Sequence, residues 1–406
     1  MLPRFVALYA LMYAAFGVSS PFMPAFFQGR GLAPEQLGVL FATGTAIRLI
    51  SGPLCGRLAD LTQALRAVLA GCTTVAALVA LGLLPAAGFW SLFLISVIHA
   101  AALAPITTLA DALALGAAAS PDPGARFEYG WVRGTGSAAF IAGTLVSGQV
   151  VGPWGLGAII VMHAALLGGA AGAAILVPKP LQHVPRTGAV EHARHGVSEL
   201  LNTRVFRRLV LVSALILGSH AMHDAFAVIR WSAGGVTPAR ASILWSEAVA
   251  AEVVVFVLIG PALVTRLGPA TVVVLAATAG VLRWVVMAST TELIALALVQ
   301  PLHGVTFAAL HLACMRLIVA VVPQHLAATA QAMYALGATA TTALLTVVSG
   351  RLYATFGAQG FLVMALLCAA AVPLALRLRA VRPGPPQTAA DLRRRTQRNR
   401  RLPPNG

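Results

Sequence analysis

Long apolar runs separated by short polar breaks govern this chain. The runs lie at 4–28, 36–56, 66–84, 88–117, 128–150, 154–177, 207–230, 241–264, 269–288, 292–321, 327–349 and 356–377. Most approach or exceed the roughly 20 apolar residues that a helix needs to cross a bilayer. The longest polar interruption, PKPLQHVPRTGAVEHARHGVSELLNTRVF at 178–206, carries proline, three histidines and much of the internal charge. It divides the runs six and six. The pattern predicts an all-α integral membrane protein with twelve transmembrane helices. Residues 1–177 form one six-helix bundle, 178–206 a cytoplasmic linker, 207–378 a second six-helix bundle, and 379–406 a basic, disordered cytoplasmic tail.

Composition sharpens this picture. Of 406 residues 59% are hydrophobic and 10% charged, against about 25% charged in an ordinary soluble domain. A soluble enzyme is excluded. The formal net charge of +16 would suit a nucleic-acid binder if the charge were clustered on a folded surface. Instead twenty of the 28 basic residues fall in segments that share one side of the membrane if the N-terminus is inside, and four fall in the opposite segments. Cytoplasmic segments retain Lys and Arg, so both termini are predicted to be cytoplasmic. The tail RLRAVRPGPPQTAADLRRRTQRNRRLPPNG reads as a topology anchor on an anionic leaflet, with an RNA-binding or partner-docking arm as the alternative. The start, MLPRFVALYALMYAAFGVSS, lacks a short apolar stretch followed by a cleavage site and reads as a retained first helix. Cys55, Cys72, Cys314 and Cys368 show no CxxC pairing and read as packing residues, so no metal or cofactor is expected.

An internal repeat supports two related bundles. SGPLCGRLADL from Ser51 resembles IGPALVTRLGP from Ile259, each with Gly-Pro and then a basic residue. Bundles related by a pseudo-two-fold axis place a substrate site at their interface, near the bilayer midplane.

Ionisable groups inside a span are costly and therefore functional candidates. Arg48 lies 13 residues after Glu35 and 12 before Asp60, and Glu252 lies 12 after Arg240 and 14 before Arg266. At about 1.5 Å per residue both are near mid-membrane. His303, 11 residues beyond Glu292, reaches a similar depth, with Gln300 one turn earlier. These four are the central-cavity candidates. A proton-coupled carrier needs a group whose proton affinity changes as the cavity opens to one side or the other, a role for Glu252 first and His303 second. The alternative is a structural contact between helices.

Asp111 and Arg133 stand at matching heights beside the loop at 118–126, either as a structural pair or as a coupling pair. Tyr129, Arg133 and Ser137 share one helix face. Arg283 and Arg316 suit an anionic substrate or the neutralisation of a nearby acid. His311 extends a proton path from His303 or fills a packing contact. Asp224 with His220 one turn earlier suggests a polar outer gate, with a metal site the weaker reading. Gly130-x-x-x-Gly134 and Gly168-x-x-x-Gly172 read as small-residue packing faces.

Gly56-Arg57-Leu58-Ala59-Asp60 followed by Arg66 resembles the signature loop of the major facilitator superfamily. Segments FEYGWVRGTGSAAFIAGTLVSG (127–148), VLRWVVMA (281–288) and LVQPLHGVTFAALHLACM (298–315) resemble the branch of phenylpropionate permease-like carriers, related to lactose and nucleoside proton symporters. The signature loop departs from the pattern at Leu61, where a basic residue is usual, and lacks the second glycine. The resemblance implies a gating latch built on Asp60, Arg57 and Arg66; the bland reading is a topology signal with a surface salt bridge.

The sequence therefore points to a monomeric secondary carrier in a bacterial-type inner membrane. Proton-coupled import of a small organic solute is favoured, an aromatic or other organic acid first, by alternating access. The partners expected are the substrate, protons and the lipid bilayer, without nucleic acid. An exporter of drugs or metabolites is the alternative, and a membrane receptor or enzyme a remote one, since HExxH, GxSxG and CxxC are all missing.

Overall fold

The computed structural model describes residues 1–118, 127–178 and 193–378. The first part of the chain holds α1 (Leu2–Ser19), α2 (Met23–Gly29), α3 (Pro34–Thr62), α4 (Leu65–Leu81), α5 (Phe89–Leu103), α6 (Ile106–Ala118), α7 (Tyr129–Trp154) and α8 (Gly157–Leu176). The second part begins with α9 (Ala193–Asn202), α10 (Arg204–Gly218), α11 (His220–Ala233), α12 (Pro238–Val254), α13 (Gly260–Leu267) and α14 (Pro269–Ser289). It ends with α15 (Leu293–Val299), α16 (Leu310–Val321), α17 (Ala327–Phe356) and α18 (Gly360–Leu376).

Every apolar run named above lies on one of these helices or on consecutive ones. Among the described residues nine helical stretches are long and apolar enough to cross a membrane, and Leu65–Leu81 is a shorter apolar helix. Prolines account for several interruptions. Pro105 falls between α5 and α6, where its missing N–H breaks the ladder. Pro261 cannot donate to Val257, and the turn before it, Val255–Ile259, widens into a π-helix in which the Gly260 N–H reaches back to the Val255 carbonyl. Pro301 ends α15, and a second π-helical turn, Gly304–Ala309, follows it.

The polar segment 178–206 is not irregular throughout. Its end forms α9, and Leu200 is buried against the cluster that contains Phe206, Leu209 and Leu378. An amphipathic turn that buries one leucine is too short to register in a span-length hydropathy reading. Residues 179–192 of the linker, the loop at 119–126 and the tail at 379–406 lie outside the described residues.

Three apolar clusters organise the packing. One draws only on residues 5–177, and one only on residues 200–378. The third joins both parts of the chain, with Phe26, Phe27 and Leu40 on one side and Phe226, Trp231 and Trp245 on the other. It lies at the end of the molecule where α1, α7 and α11 finish.

The same fixing contact recurs at equivalent points of the two parts. The Arg30 guanidinium donates to the Ala86 and Leu84 carbonyls at 3.0 and 2.7 Å. Arg230 donates to the Ala288 and Thr290 carbonyls at 3.1 and 3.3 Å. At the opposite end Arg4 donates to the Leu176 carbonyl at 3.1 Å, and Arg208 to the Arg377 carbonyl at 3.3 Å. Each arginine ties a helix end to carbonyls that lack helical partners.

Candidate functional site

Below the shared cluster, a cavity of about 740 Å3 is lined by both parts of the chain. Arg48, Ser96 and His99 reach it from α3 and α5; His220, His223 and Asp224 from α11; Glu252 from α12; His303 from the turn after Pro301. Phe16, Phe41, Phe140, Trp245 and Phe307 supply aromatic surface. A mostly apolar wall with a few convergent polar groups is the usual make-up of a small-molecule site.

Glu252 and His303 meet because two helices approach unusually closely. A Cβ on Gly304 would lie 2.6 Å from the Ala251 carbonyl oxygen, so only glycine lets the backbones touch here. The contact sets Glu252 Oε2 3.5 Å from His303 Nε2. Both residues precede a π-helical turn by one to three positions, an irregularity common at functional sites.

Arg283 is fully buried behind this pair. It donates to His303 Nδ1 at 3.1 Å, to Gln300 Oε1 at 3.0 Å and to His223 Nε2 at 3.4 Å, and its guanidinium carbon lies 4.7 Å from the Trp284 ring centre. His223 Nδ1 in turn lies 3.4 Å from Asp224 Oδ1. A guanidinium only donates, so both imidazole nitrogens facing Arg283 must accept. Each neutral ring therefore carries its proton on the opposite nitrogen: His303 Nε2–H points to Glu252, and His223 Nδ1–H to Asp224. The result is one chain, Glu252, His303, Arg283, His223, Asp224, with a carboxylate at each end and a cation in the middle.

Across the cavity stands Arg48. The ion pairs among the described residues are His223 with Asp224 and His303 with Glu252. Arg48 joins neither and presents its guanidinium to the cavity without a carboxylate partner.

Arg48, Glu252, His303 and Asp224 thus share one cavity, whereas Arg283 and Gln300 stand behind its wall, reached through His303. Gln300 and Arg283 are bonded to each other. Two expected pairings are not made, His311 takes the packing alternative, and the Asp60 group makes no ion pair among the described residues. Asp111 and Arg133 form no ion pair: Asp111 accepts from the Tyr9 and Tyr129 hydroxyls, the latter at 2.7 Å, and Arg133 lies over the Tyr13 ring at 4.8 Å. Equal depth fixed their height but not their direction around the helix axis. His220 does not pair with Asp224 one turn on; its Nε2 meets the Thr306 hydroxyl at 3.0 Å, and the neighbouring His223 takes the carboxylate. His311 packs against Phe256 and Tyr334, with ring centres 6.0 and 5.9 Å away, and is not among the cavity-lining residues. Asp60 and Arg57 are exposed and unpaired with each other, and Arg66 donates to the Val177 carbonyl at 3.1 Å. Among the described residues no group of three or more His, Cys, Asp or Glu side chains gathers as a metal ion requires.

Two histidines escaped the sequence reading. His99 lines the cavity, and its Nε2 lies 3.1 Å from Nε2 of the buried His163. The signal was present, since each is an ionisable side chain inside an apolar run.

Residues 2–364 match the model of the MFS_1 like family. The chain is 30% identical over 378 residues to the probable 3-phenylpropionic acid transporter of Escherichia coli strain K12, covering 90% of this chain and 94% of that protein. It is 24% identical to the uncharacterized transporter YwbF of Bacillus subtilis strain 168, covering 75% and 74% respectively. Among solved structures, a mutant of the nucleoside transporter NupG superposes with a TM-score of 0.81 at 18% identity, over 93% of this chain and 98% of that one. A bacterial homologue of the human lysosomal transporter Spinster, in an inward-facing and unoccupied conformation, gives 0.68 at 15% identity over 93% and 96%. These proteins are transporters rather than enzymes, and this chain, a multi-pass membrane protein, belongs to the MFS_1 like family of major facilitator transporters.

Proposed function

We propose that this transporter couples proton entry to the import of a small organic acid, an aromatic acid first, by alternating access. The observation that carries this reading is the Arg48 guanidinium, which has no carboxylate partner among the described residues, in an aromatic-lined cavity opposite a wall that holds the Glu252–His303 pair. A guanidinium matches a carboxylate in two parallel hydrogen bonds. The phenyl-bearing acid in the printed name of the Escherichia coli relative fits the same two features.

The proposed architecture is twelve crossings in two six-helix bundles, 1–177 and 207–378, related by a pseudo-two-fold axis. The repeated arginine contacts support that symmetry. With both termini in the cytoplasm, as the basic segments indicate, the cluster common to both bundles seals the outer side and the cavity faces inward. Asp60, Arg57 and Arg66 then belong to a latch that closes only when the cytoplasmic ends meet. The carrier is read as a monomer in an inner membrane.

In this scheme Glu252 exchanges the proton, and His303, oriented by Arg283, stabilises the carboxylate between transfers. Protonation of Glu252 weakens its tie to His303, so proton and substrate together favour reorientation.

The test is uptake of 3-phenylpropionate into proteoliposomes under an imposed pH gradient. Uptake should require the gradient in the import direction, fall at least tenfold in Glu252→Gln while counterflow exchange persists, and be lost in both modes in Arg48→Gln. Accumulation that runs only with the opposite gradient would establish an exporter, and unchanged coupling in Glu252→Gln would remove that residue from the scheme.

A further inference from the structure

The wall on which Arg48 stands carries polar capacity that an acid group alone does not use. His163 Nδ1 lies 2.8 Å from the Ala15 carbonyl oxygen. A carbonyl only accepts, so this nitrogen carries the proton. In the neutral ring Nε2 is then bare and accepts from His99 Nε2–H at 3.1 Å. The remaining His99 nitrogen, Nδ1, is left as an acceptor on a side chain that lines the cavity. Protonating both nitrogens of either ring would bury a charge, since His163 and His99 are 0% and 8% exposed, at high cost.

Ser96 stands one turn earlier on α5 and lines the same cavity. It is 9% exposed, and its Oγ has no hydrogen-bond partner among the described residues, not even the carbonyl of the preceding turn. A buried hydroxyl without a partner costs about 1–3 kcal/mol unless something supplies one.

The position of Arg48 relative to this pair follows from helix register. A Cβ on Gly44 would touch the Ala100 Cβ at 3.5 Å, and one on Gly52 the Ala104 carbonyl at 4.0 Å. Arg48, midway between those glycines on the same face of α3, stands level with the turn of α5 that begins at His99.

We infer that Ser96 and His99 form a hydroxyl-binding subsite beside Arg48, so the preferred cargo is an organic acid that also bears a hydroxyl group. The hydroxyl donates to His99 Nδ1 and accepts from Ser96 Oγ, while the carboxylate meets Arg48. His163 is the positioning residue that fixes which His99 nitrogen is bare. This rests on the acid reading above for the carboxylate, and on the geometry of Ser96, His99 and His163 for the hydroxyl.

The test is calorimetric binding to the purified full chain in lipid nanodiscs. The probes are 3-phenylpropionate, its three ring-hydroxylated isomers and their methyl ethers, with the corresponding uncharged amides as a second series. A site built to bond a hydroxyl rejects the analogue that lacks it. At least one hydroxylated isomer should bind about tenfold more tightly than the parent, and its methyl ether should lose that gain. Ser96→Ala and His99→Phe should each bring the ratio of hydroxylated isomer to parent near one. His163→Leu should lower the ratio, and His163→Gln, which can still donate to Ala15 and accept from His99, should restore it. A ratio near one for every isomer in the wild type, or one that survives Ser96→Ala and His99→Phe, overturns the subsite. The amide series separates the two readings. Amides that bind as tightly as acids, with Arg48→Gln without effect, defeat the acid reading, while the hydroxyl ratio within the amides still reports on Ser96 and His99.

Discussion

Gly38 and Gly350 meet backbone to backbone. A Cβ on Gly38 would lie 2.8 Å from the Thr346 carbonyl oxygen and 3.1 Å from the Gly350 Cα, and one on Gly350 would lie 2.6 Å from the Pro34 carbonyl. The contact joins α3 to α17, one from each part of the chain, at the end sealed by the shared apolar cluster. A second contact does the same for α7 and α12, where a Cβ on Gly148 would stand 2.1 Å from Ser242 Oγ. Small residues at such crossings let packed helices come together and separate with little side-chain rearrangement.

Closure at this end should therefore be sensitive to a single methyl group. Gly38→Ala is expected to destabilise the closed arrangement by ~1–3 kcal/mol, the usual cost of overpacking. A cysteine placed at Thr45, on the cavity wall, should react at least tenfold faster with an impermeant maleimide added from that side. Cys55 and Cys72, both partly exposed, would first be replaced by serine. Unchanged labelling in Gly38→Ala and Gly350→Ala together would mean that the crossing does not control closure.

The Arg283 tether makes a spectroscopic prediction. Nitrogen-15 spectra should show His303 with its proton on Nε2 and His223 with its proton on Nδ1, opposite tautomers imposed by one cation between them. Arg283→Leu should release both rings into tautomer mixtures. It should also lower the thermal midpoint, because Gln300 Oε1 loses a buried donor at a cost of about 1–3 kcal/mol. Identical tautomers in wild type and Arg283→Leu would show that the carboxylates, rather than the guanidinium, orient the rings.

Asp111 offers a direct check on a pairing that depth alone suggested and the structure does not make. A double-mutant cycle between Asp111→Leu and Tyr9→Phe should give a coupling energy of at least ~1 kcal/mol, since they share a hydrogen bond to a charged group. The cycle between Asp111→Leu and Arg133→Gln should give less than ~0.5 kcal/mol. Reversed values from thermal unfolding would restore the ion pair.

Depth was the legible quantity in this sequence. Counting from loop to loop brought Arg48, Glu252 and His303 to one level, and all three line one cavity. Direction was legible only where a local feature declared it. Gly304 after His303 marks a close approach, but nothing in the sequence names Ala251 as the backbone it meets. Arg283 reads from sequence as a substrate ligand because a guanidinium suits an anion; its burial depends on three acceptors from two spans, His223 on α11 and Gln300 and His303 on either side of Pro301. His99 and His163, 64 residues apart, orient each other, and each alone resembles a core residue.

The Glu252–His303 contact depends on a residue that bears no chemistry. Gly304→Ala leaves both side chains intact, yet its Cβ has nowhere to go: the Ala251 carbonyl is at 2.6 Å and Val255 Cγ2 at 2.8 Å. The two helices must part by several tenths of an ångström or more, and a contact already at 3.5 Å falls outside hydrogen-bonding range. Gradient-driven uptake should then drop at least tenfold, as in Glu252→Gln, with counterflow exchange retained because Arg48, Phe16, Phe41 and Phe140 on the other part of the chain are untouched. Gly280→Ala, which crowds the Cys368 sulfur at 2.6 Å away from the cavity, is the control for a general loss of packing. If both variants lose counterflow, the helices need their spacing for stability alone. If only Gly304→Ala loses coupling and keeps exchange, the proton step requires the carboxylate and imidazole to touch.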